Sequence, residues 1–326
     1  MTDRGGSPRD GLTPREPLVA SARPVDGEPR ALVAGWFSFV DGEATAGDLL
    51  AGEEARRWLE DAGYRCDVAL SPAFAGGVTW DEEDPDRYAV VAFVCGPAGG
   101  EQVERLLDRF ERCTLVGLNL SLVDPAVAAR FDLLWERDSD ATCRPDLSLG
   151  PEVAEIPAVA IVRAHAQPEY GHHRLDQVHD RILAVLGDRG CAAIALDTRV
   201  DPALSPIAPD VRSSAELASL LRRMDAVVST RLHGLVLALK HGVPAVAIDP
   251  VVGGAKVRRQ AEALGWPLVL TADAADEDSL HAALDRCLQP QAREQAAQCR
   301  DGARAELRRL RREVVAELAR RASRRG

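Results

Sequence analysis

The chain has 326 residues, of which 46% are apolar, 28% charged and 4% aromatic, and it carries a formal net charge of −11. That length allows two domains, each burying its own core. The acidic body argues against a nucleic-acid partner, and the absence of any apolar run of about 18 residues excludes a membrane-spanning helix.

From the N-terminus, residues 1–28 are charged and rich in Pro and Gly with no apolar core of a signal segment. They read as a disordered leader. Residues 29–146 then alternate short apolar runs with amphipathic ones. Strands are expected at Ala31–Gly35, Cys66–Leu70, Ala89–Cys95, Thr114–Leu118 and Leu133–Glu136, with helices at Ala46–Ala62 and Glu101–Phe110. The run Leu147–Pro157, with two prolines, a glycine and two acids, suits a linker.

The alternation restarts over 158–290. Strands are expected at Ala158–Val162, Cys191–Leu196, Ala226–Ser229, Pro244–Ile248 and Leu268–Leu270. Helices are expected at Leu175–Leu186 (closed by Gly187), Ser213–Met224, Leu232–Lys240, Lys256–Leu264 and Ser279–Leu288. Such a succession predicts an α/β protein of two Rossmann-like, doubly wound domains facing each other across a cleft, a GT-B-like arrangement whose ligands sit beyond the carboxyl ends of the strands.

Residues 291–326 form a basic tail. Eleven Arg stand against five acidic residues there, a local +6 that leaves −17 for the rest. Leu307, Leu310, Val314, Val315 and Leu318 recur at helical spacing, so the tail reads as a final helix packed back on the body with a solvated Arg face. Peripheral contact with an anionic membrane surface is its other reading.

Seven cysteines lie at 66, 95, 113, 143, 191, 287 and 299, odd in number and without Cys-x-x-Cys. They suit reduced, mostly buried thiols in a cytoplasmic protein. No spacing of Cys or His suits a metal, and Gly96-Pro97-Ala98-Gly99-Gly100 is not the dinucleotide glycine fingerprint, so neither metal nor nicotinamide cofactor is expected. His165, His172, His173 and His179 form the one histidine cluster and read as a solvated loop.

The stretch from Ala226 to Pro250 is the most informative. A strand ends at Ser229, the chain turns through Thr230-Arg231, and a helix opens at Leu232-His233-Gly234. The first helical amides and the helix dipole favour an anion there. Arg231 adds a planar fork of donors for carboxylate or phosphate, and His233 a group that exchanges protons near neutrality.

The run Ser229-Thr230-Arg231-Leu232-His233-Gly234, with Ala238, Gly242-Val243-Pro244, Asp249 and Gly253-Gly254-Ala255-Lys256-Val257 behind it, resembles the C-terminal signature of polysaccharide pyruvyl transferases. The segment Val159–His165 resembles that family's second-domain opening strand, which ends in an arginine. Trp135–Thr142 and Pro145-Asp146 are weaker echoes. Departures lie in the first half, where only Gly47-Asp48 is retained from the family's opening motif.

The resemblance implies phosphoenolpyruvate as donor, a sugar or glycan precursor as acceptor, and donor-binding roles for Arg163, Arg231, Leu232 and His233. With the donor that the resemblance implies, His233 is the expected acid, Arg163 and Arg231 would steady the departing phosphate, and Asp48 could be an acceptor-side base. Gly234, where the helix opens, and Lys256, which could reach a phosphate, complete the expected substrate-binding set with Arg163, Arg231 and Leu232. The alternative is a GT-B-type nucleotide-sugar glycosyltransferase, which would want an acid such as Asp249 or Asp273 for the ribose. A catalytically silent binding protein of the same fold is the third reading.

Overall fold

A computed structural model describes residues 28–40, 44–140, 142–165, 174–204, 211–251 and 256–323. The expected leader (Glu28 apart), Gly253–Ala255, His172 and His173 lie outside the described residues. The chain divides into two units, Met1–Val153 and Ala154–Gly326.

The first unit runs β1 (Arg30–Gly35), α1 (Ala46–Asp61), β2 (Arg65–Val68), β3 (Val90–Pro97), α2 (Glu101–Arg109), β4 (Thr114–Ser121), α3 (Pro125–Ala128) and β5 (Leu133–Asp138). Its five strands are all parallel in the order β2-β1-β3-β4-β5. Successive side chains of β1 alternate between two apolar layers. Leu32 and Ala34 join Phe93, Leu106, Leu107 and Phe110 on one face, whereas Ala31 and Val33 join Phe37, Ala51 and Ala55 on the other. Burial on both faces explains why the inner strands β1 and β3 read as continuous apolar runs.

Helix α1 starts at a capping box in which Thr45 accepts the Asp48 amide and the Asp48 carboxylate accepts the Thr45 amide. It is closed by Gly63 at φ +89, a conformation that only glycine adopts without cost.

The second unit runs β6 (Ala158–Val162), α4 (Leu175–Asp188), β7 (Ala192–Leu196), α5 (Ser214–Leu221), β8 (Ala226–Ser229), α6 (Leu232–Lys240), β9 (Ala245–Asp249), α7 (Lys256–Leu264), β10 (Val269–Thr271), α8 (Glu277–Cys287) and α9 (Pro290–Ser323). Its order, β10-β9-β8-β6-β7, repeats that of the first unit. In both, connections leave the opening strand's two sides in opposite directions, making a crevice between β1 and β3 and between β6 and β8. The registers pair Val162 with Leu196 on one side and with Ser229 on the other, so the residues that follow these three strand ends emerge side by side.

Three expectations need correction. Helix α4 runs through Gly187 to Asp188, and Gly190, at φ +61, makes the left-handed turn. Among the cysteines, Cys95, Cys113 and Cys287 are buried, while Cys143 is exposed. The stripe on α9 does not fold back onto the body. Ala292 and Ala296 are its buried residues, while Leu307, Leu310, Val314, Val315 and Leu318 are each about half exposed or more. Good helix formers and ion pairs such as Arg309–Glu306 and Arg321–Glu317 sustain this helix along its own surface.

Leu107 is fully buried in the first unit, in a face built from β3, β4 and α2. Leu107→Ala is expected to destabilise that unit by about 2–5 kcal/mol through lost burial and a residual cavity. Chemical denaturation followed by the fluorescence of Trp36 and Trp80, which belong to the same unit, measures it.

Candidate functional site

A cavity of about 430 Å³ opens at the carboxyl ends of the second unit's strands, lined by His165, Arg231, Leu232, His233, Asp249 and Lys256 among others. Its position follows from the packing of α6. Ser229 is fully buried, and its hydroxyl accepts the Arg231 amide at 3.0 Å and donates to the Arg231 carbonyl at 2.8 Å. Thr230 accepts the Ala164 amide through its hydroxyl at 2.8 Å, tying the end of β8 to the end of β6.

Arg231 then takes an extended conformation as the N-cap of α6 without any side chain capping the helix. The first amides of α6 therefore remain as hydrogen-bond donors beside the cavity, at the positive end of the helix.

Of the residues expected to act, Arg231, Leu232, His233 and Lys256 are brought together on this cavity. His233 is exposed, Leu232 rests half-buried against the core, and Lys256 opens α7. Gly234 is buried one residue further on and serves the packing of the helix. Arg163 leaves the adjacent strand end with its guanidinium on Asp176 of α4, an exposed ion pair worth at most about 1 kcal/mol and easily exchanged. Asp48 belongs to the first unit, where its carboxylate accepts the Thr45 amide and hydroxyl at 2.9 and 2.8 Å in the α1 capping box.

Asp249 lines the cavity but is fully buried. Its two carboxylate oxygens accept the amides of Val251 and Arg258, the latter in the first turn of α7. The carboxylate thus caps that helix from the neighbouring strand. Asp273 pairs with Arg174 at 3.3 Å.

Two functional candidates were not singled out from the sequence. Asp197 follows β7 directly, and its carboxylate receives Arg231 Nη1 at 2.9 Å, His165 Nε2 at 2.7 Å, and both the amide and Nε of Arg199 at 2.9 Å. His165, expected in a solvated loop, lines the cavity through this contact. Burial pushes the Asp197 carboxyl upward, but the Arg199 amide, His165 and the Arg199 guanidinium outweigh it and hold the group down to about 2. The available signal was an acid immediately after an apolar strand, the place where such sheets present functional groups. His179, by contrast, sits on α4, where burial and then the charge of Arg163 lower its pKa.

The parallel sheets, wound with helices and sharing one strand order, place both units in the doubly wound α/β class. Residues 137–250, from the end of β5 to Pro250, match the family described as polysaccharide pyruvyl transferase. Lys256 and Asp48 fall outside that match.

Among solved structures, the chain is similar to the glycosyltransferase SnogD from Streptomyces nogalater, at 18% identity over 84% of this chain and 94% of that one, with a TM-score of 0.28. It is also similar to MurG of Acinetobacter baumannii, at 11% over 84% and 95%, TM-score 0.31. A third is the UDP-GlcNAc 2-epimerase from Methanocaldococcus jannaschii, at 9% over 81% and 94%, TM-score 0.31. Scores and identities this low carry no functional weight. No curated protein matches the sequence.

The Asp197 network has a definite pH signature. A folded-state carboxyl held below its ordinary value of about 3.9 contributes stability that is complete above that pH and is lost as pH falls toward 2. The gap in unfolding midpoint between the unaltered protein and Asp197→Asn is therefore expected to close between about pH 4 and pH 2. A gap that stays constant over that range would show that these cations do not hold the carboxylate.

Proposed function

We propose that this chain transfers the pyruvyl group of phosphoenolpyruvate to two hydroxyls of a glycan or glycan precursor, forming a cyclic ketal. The observation that carries the proposal is the convergence of Arg231, Lys256, His233 and the uncapped start of α6 on one cavity within and next to the family-matched segment.

Phosphoenolpyruvate carries a phosphate and a carboxylate a few bonds apart. Arg231 offers bidentate donors, the α6 amides offer directed N–H groups, and Lys256 adds a positive charge; each charge-assisted bond contributes roughly 1.5–3 kcal/mol. Arg163, one strand away and paired among the described residues with the exposed Asp176, can exchange that partner for the donor's second anionic group.

The reaction needs a proton at the terminal vinyl carbon while a sugar hydroxyl attacks the adjacent carbon. His233, exposed at the helix start and facing the cavity, is our choice for the acid. The arginines stabilise phosphate as a second hydroxyl displaces it.

The nucleotide-sugar alternative draws less support from the site. Asp249, one of the acids that would hold a ribose, is buried and occupied by two backbone amides, and the other, Asp273, is paired with Arg174.

Arg231→Ala is expected to weaken phosphoenolpyruvate binding by one to two orders of magnitude, about 1.5–3 kcal/mol. Calorimetry on the purified protein decides this, with UDP- and GDP-sugars run in parallel. Unchanged affinity would remove this cavity as the donor site, and tight binding of a nucleotide sugar alone would favour the alternative. His233→Gln should behave differently, slowing the chemical step by about 10²–10⁴ while leaving donor affinity nearly intact. A near-normal single-turnover rate in that variant would reduce His233 to a part of the turn.

A further inference from the structure

We infer that His165, held by Asp197, is the base that takes the proton of the attacking acceptor hydroxyl. The inference rests on the pyruvyl-transfer reading above and supplies what that reading lacks. Adding a hydroxyl across the vinyl bond requires one group to give a proton to carbon and another to receive one from oxygen. His233 fills only the first role, and the Asp48 carboxylate is engaged in the capping box of α1.

The geometry selects His165. It lines the same cavity as Arg231 and His233, and its Nε2 lies 2.7 Å from Asp197 Oδ2. A carboxylate is an acceptor only, so in the neutral ring Nε2 carries the hydrogen and Nδ1 keeps a bare lone pair. Asp197 also receives Arg231 Nη1 through its other oxygen, at 2.9 Å. One carboxylate therefore registers the proton-accepting ring against the arginine that would hold the donor.

Asp197 itself makes a poor base. Three cationic or polar partners occupy its lone pairs, and it keeps its charge to strongly acidic pH. Its part is positioning, with the ring making the contact to the hydroxyl.

The protons balance over the two halves of the reaction. In the first, the acceptor O–H bond breaks with its proton passing to His165 Nδ1, and the oxygen bonds to the substituted vinyl carbon. The π electron pair then takes a proton from His233 at the terminal carbon. In the second, another hydroxyl of the acceptor bonds to the same carbon and the C–O bond to phosphate breaks. That hydroxyl's proton passes to His233, and phosphate leaves with the proton held by His165. Both rings return to their starting states.

The test uses the full chain with phosphoenolpyruvate and a panel of methyl hexopyranosides bearing vicinal cis or 1,3-related hydroxyls, with phosphate release as the readout. His165→Gln keeps a side-chain hydrogen-bond donor for Asp197 but cannot take a proton. It should lose about 10²–10⁴ in rate, with phosphoenolpyruvate affinity within threefold of the unaltered protein. His165→Ala should lose a similar amount and regain part of it when imidazole is added, which a purely structural role would not allow.

Nitrogen-15 NMR of the imidazoles provides a measurement that needs no acceptor. His165 is expected to carry its hydrogen on Nε2, and Asp197→Asn should erode that preference. Near-normal turnover in His165→Gln, or a hydrogen resident on Nδ1, would overturn the assignment of the base while leaving the donor site standing. Failure of the unaltered protein to bind phosphoenolpyruvate would overturn both.

Discussion

The chemistry of the second unit depends on how closely α6 approaches the end of β8. A Cβ at Gly234 would lie 2.1 Å from the Ser229 hydroxyl and 2.9 Å from Val162 Cγ1, both in the buried floor of the sheet. Only a glycine allows the first turn of the helix to settle there. Once it does, Ser229 can engage both backbone groups of Arg231, and Arg231 becomes an N-cap that uses its side chain for something other than capping. A helix start that is not satisfied by its own side chains keeps its donors for a ligand. The Arg-Leu-His segment is thus less a set of three reactive residues than a consequence of one close packing contact.

The cavity carries two carboxylates, Asp249 at its lining and Asp197 beside Arg231 and His165, and they are matched by different physics. Asp249 is buried completely and accepts the Val251 amide and, in the first turn of α7, the Arg258 amide, where the helix dipole favours its charge. Asp197 is matched by side chains, with His165, Arg199 and Arg231 around it. The first arrangement is rigid and structural. The second can rearrange, because the anionic donor proposed above would compete with Asp197 for Arg231. That difference is why Asp197, and not Asp249, is the carboxylate whose substitution should alter function as well as stability.

Much of this was legible in the sequence. The inner strands β1, β3, β6, β8 and β9 are recognisable as apolar runs, and four elements that frame the site, Ala158–Val162, Ala226–Ser229, Leu232–Lys240 and Lys256–Leu264, have the bounds read from the sequence. Their clarity comes from burial on both faces, which leaves no room for polar residues inside the strands. Strand order is another matter. Nothing local records that β8 pairs with β6 and leaves β7 at an edge, yet this is what brings Asp197 beside His165 and Arg231. The Asp197 network joins residues more than thirty apart in the chain, so spacing could not reveal it. On α9 the periodicity was correct and the inference from it was not, since an amphipathic stripe states what could be buried and not whether anything covers it.

The two units show how side chains divide one topology between different tasks. Both have the same strand order, and therefore the same kind of crevice between the ends of their first and third strands. In the first unit that crevice is taken by Trp36, which follows β1 and donates its indole N–H to the Pro97 carbonyl at 3.0 Å. Gly96, at φ +70, clears the space, because a Cβ there would stand 2.7 Å from the indole. In the second unit the equivalent positions are Arg163 and Thr230, with a small Ala164 beside them, and the crevice opens into the cavity lined by Arg231 and His233. A large ring that satisfies its own polar atom against the backbone fills one crevice; the small Ala164 leaves the other open beside Arg231 and His233. The strand order offers both units a place for a ligand, and the residue that follows each strand decides what kind.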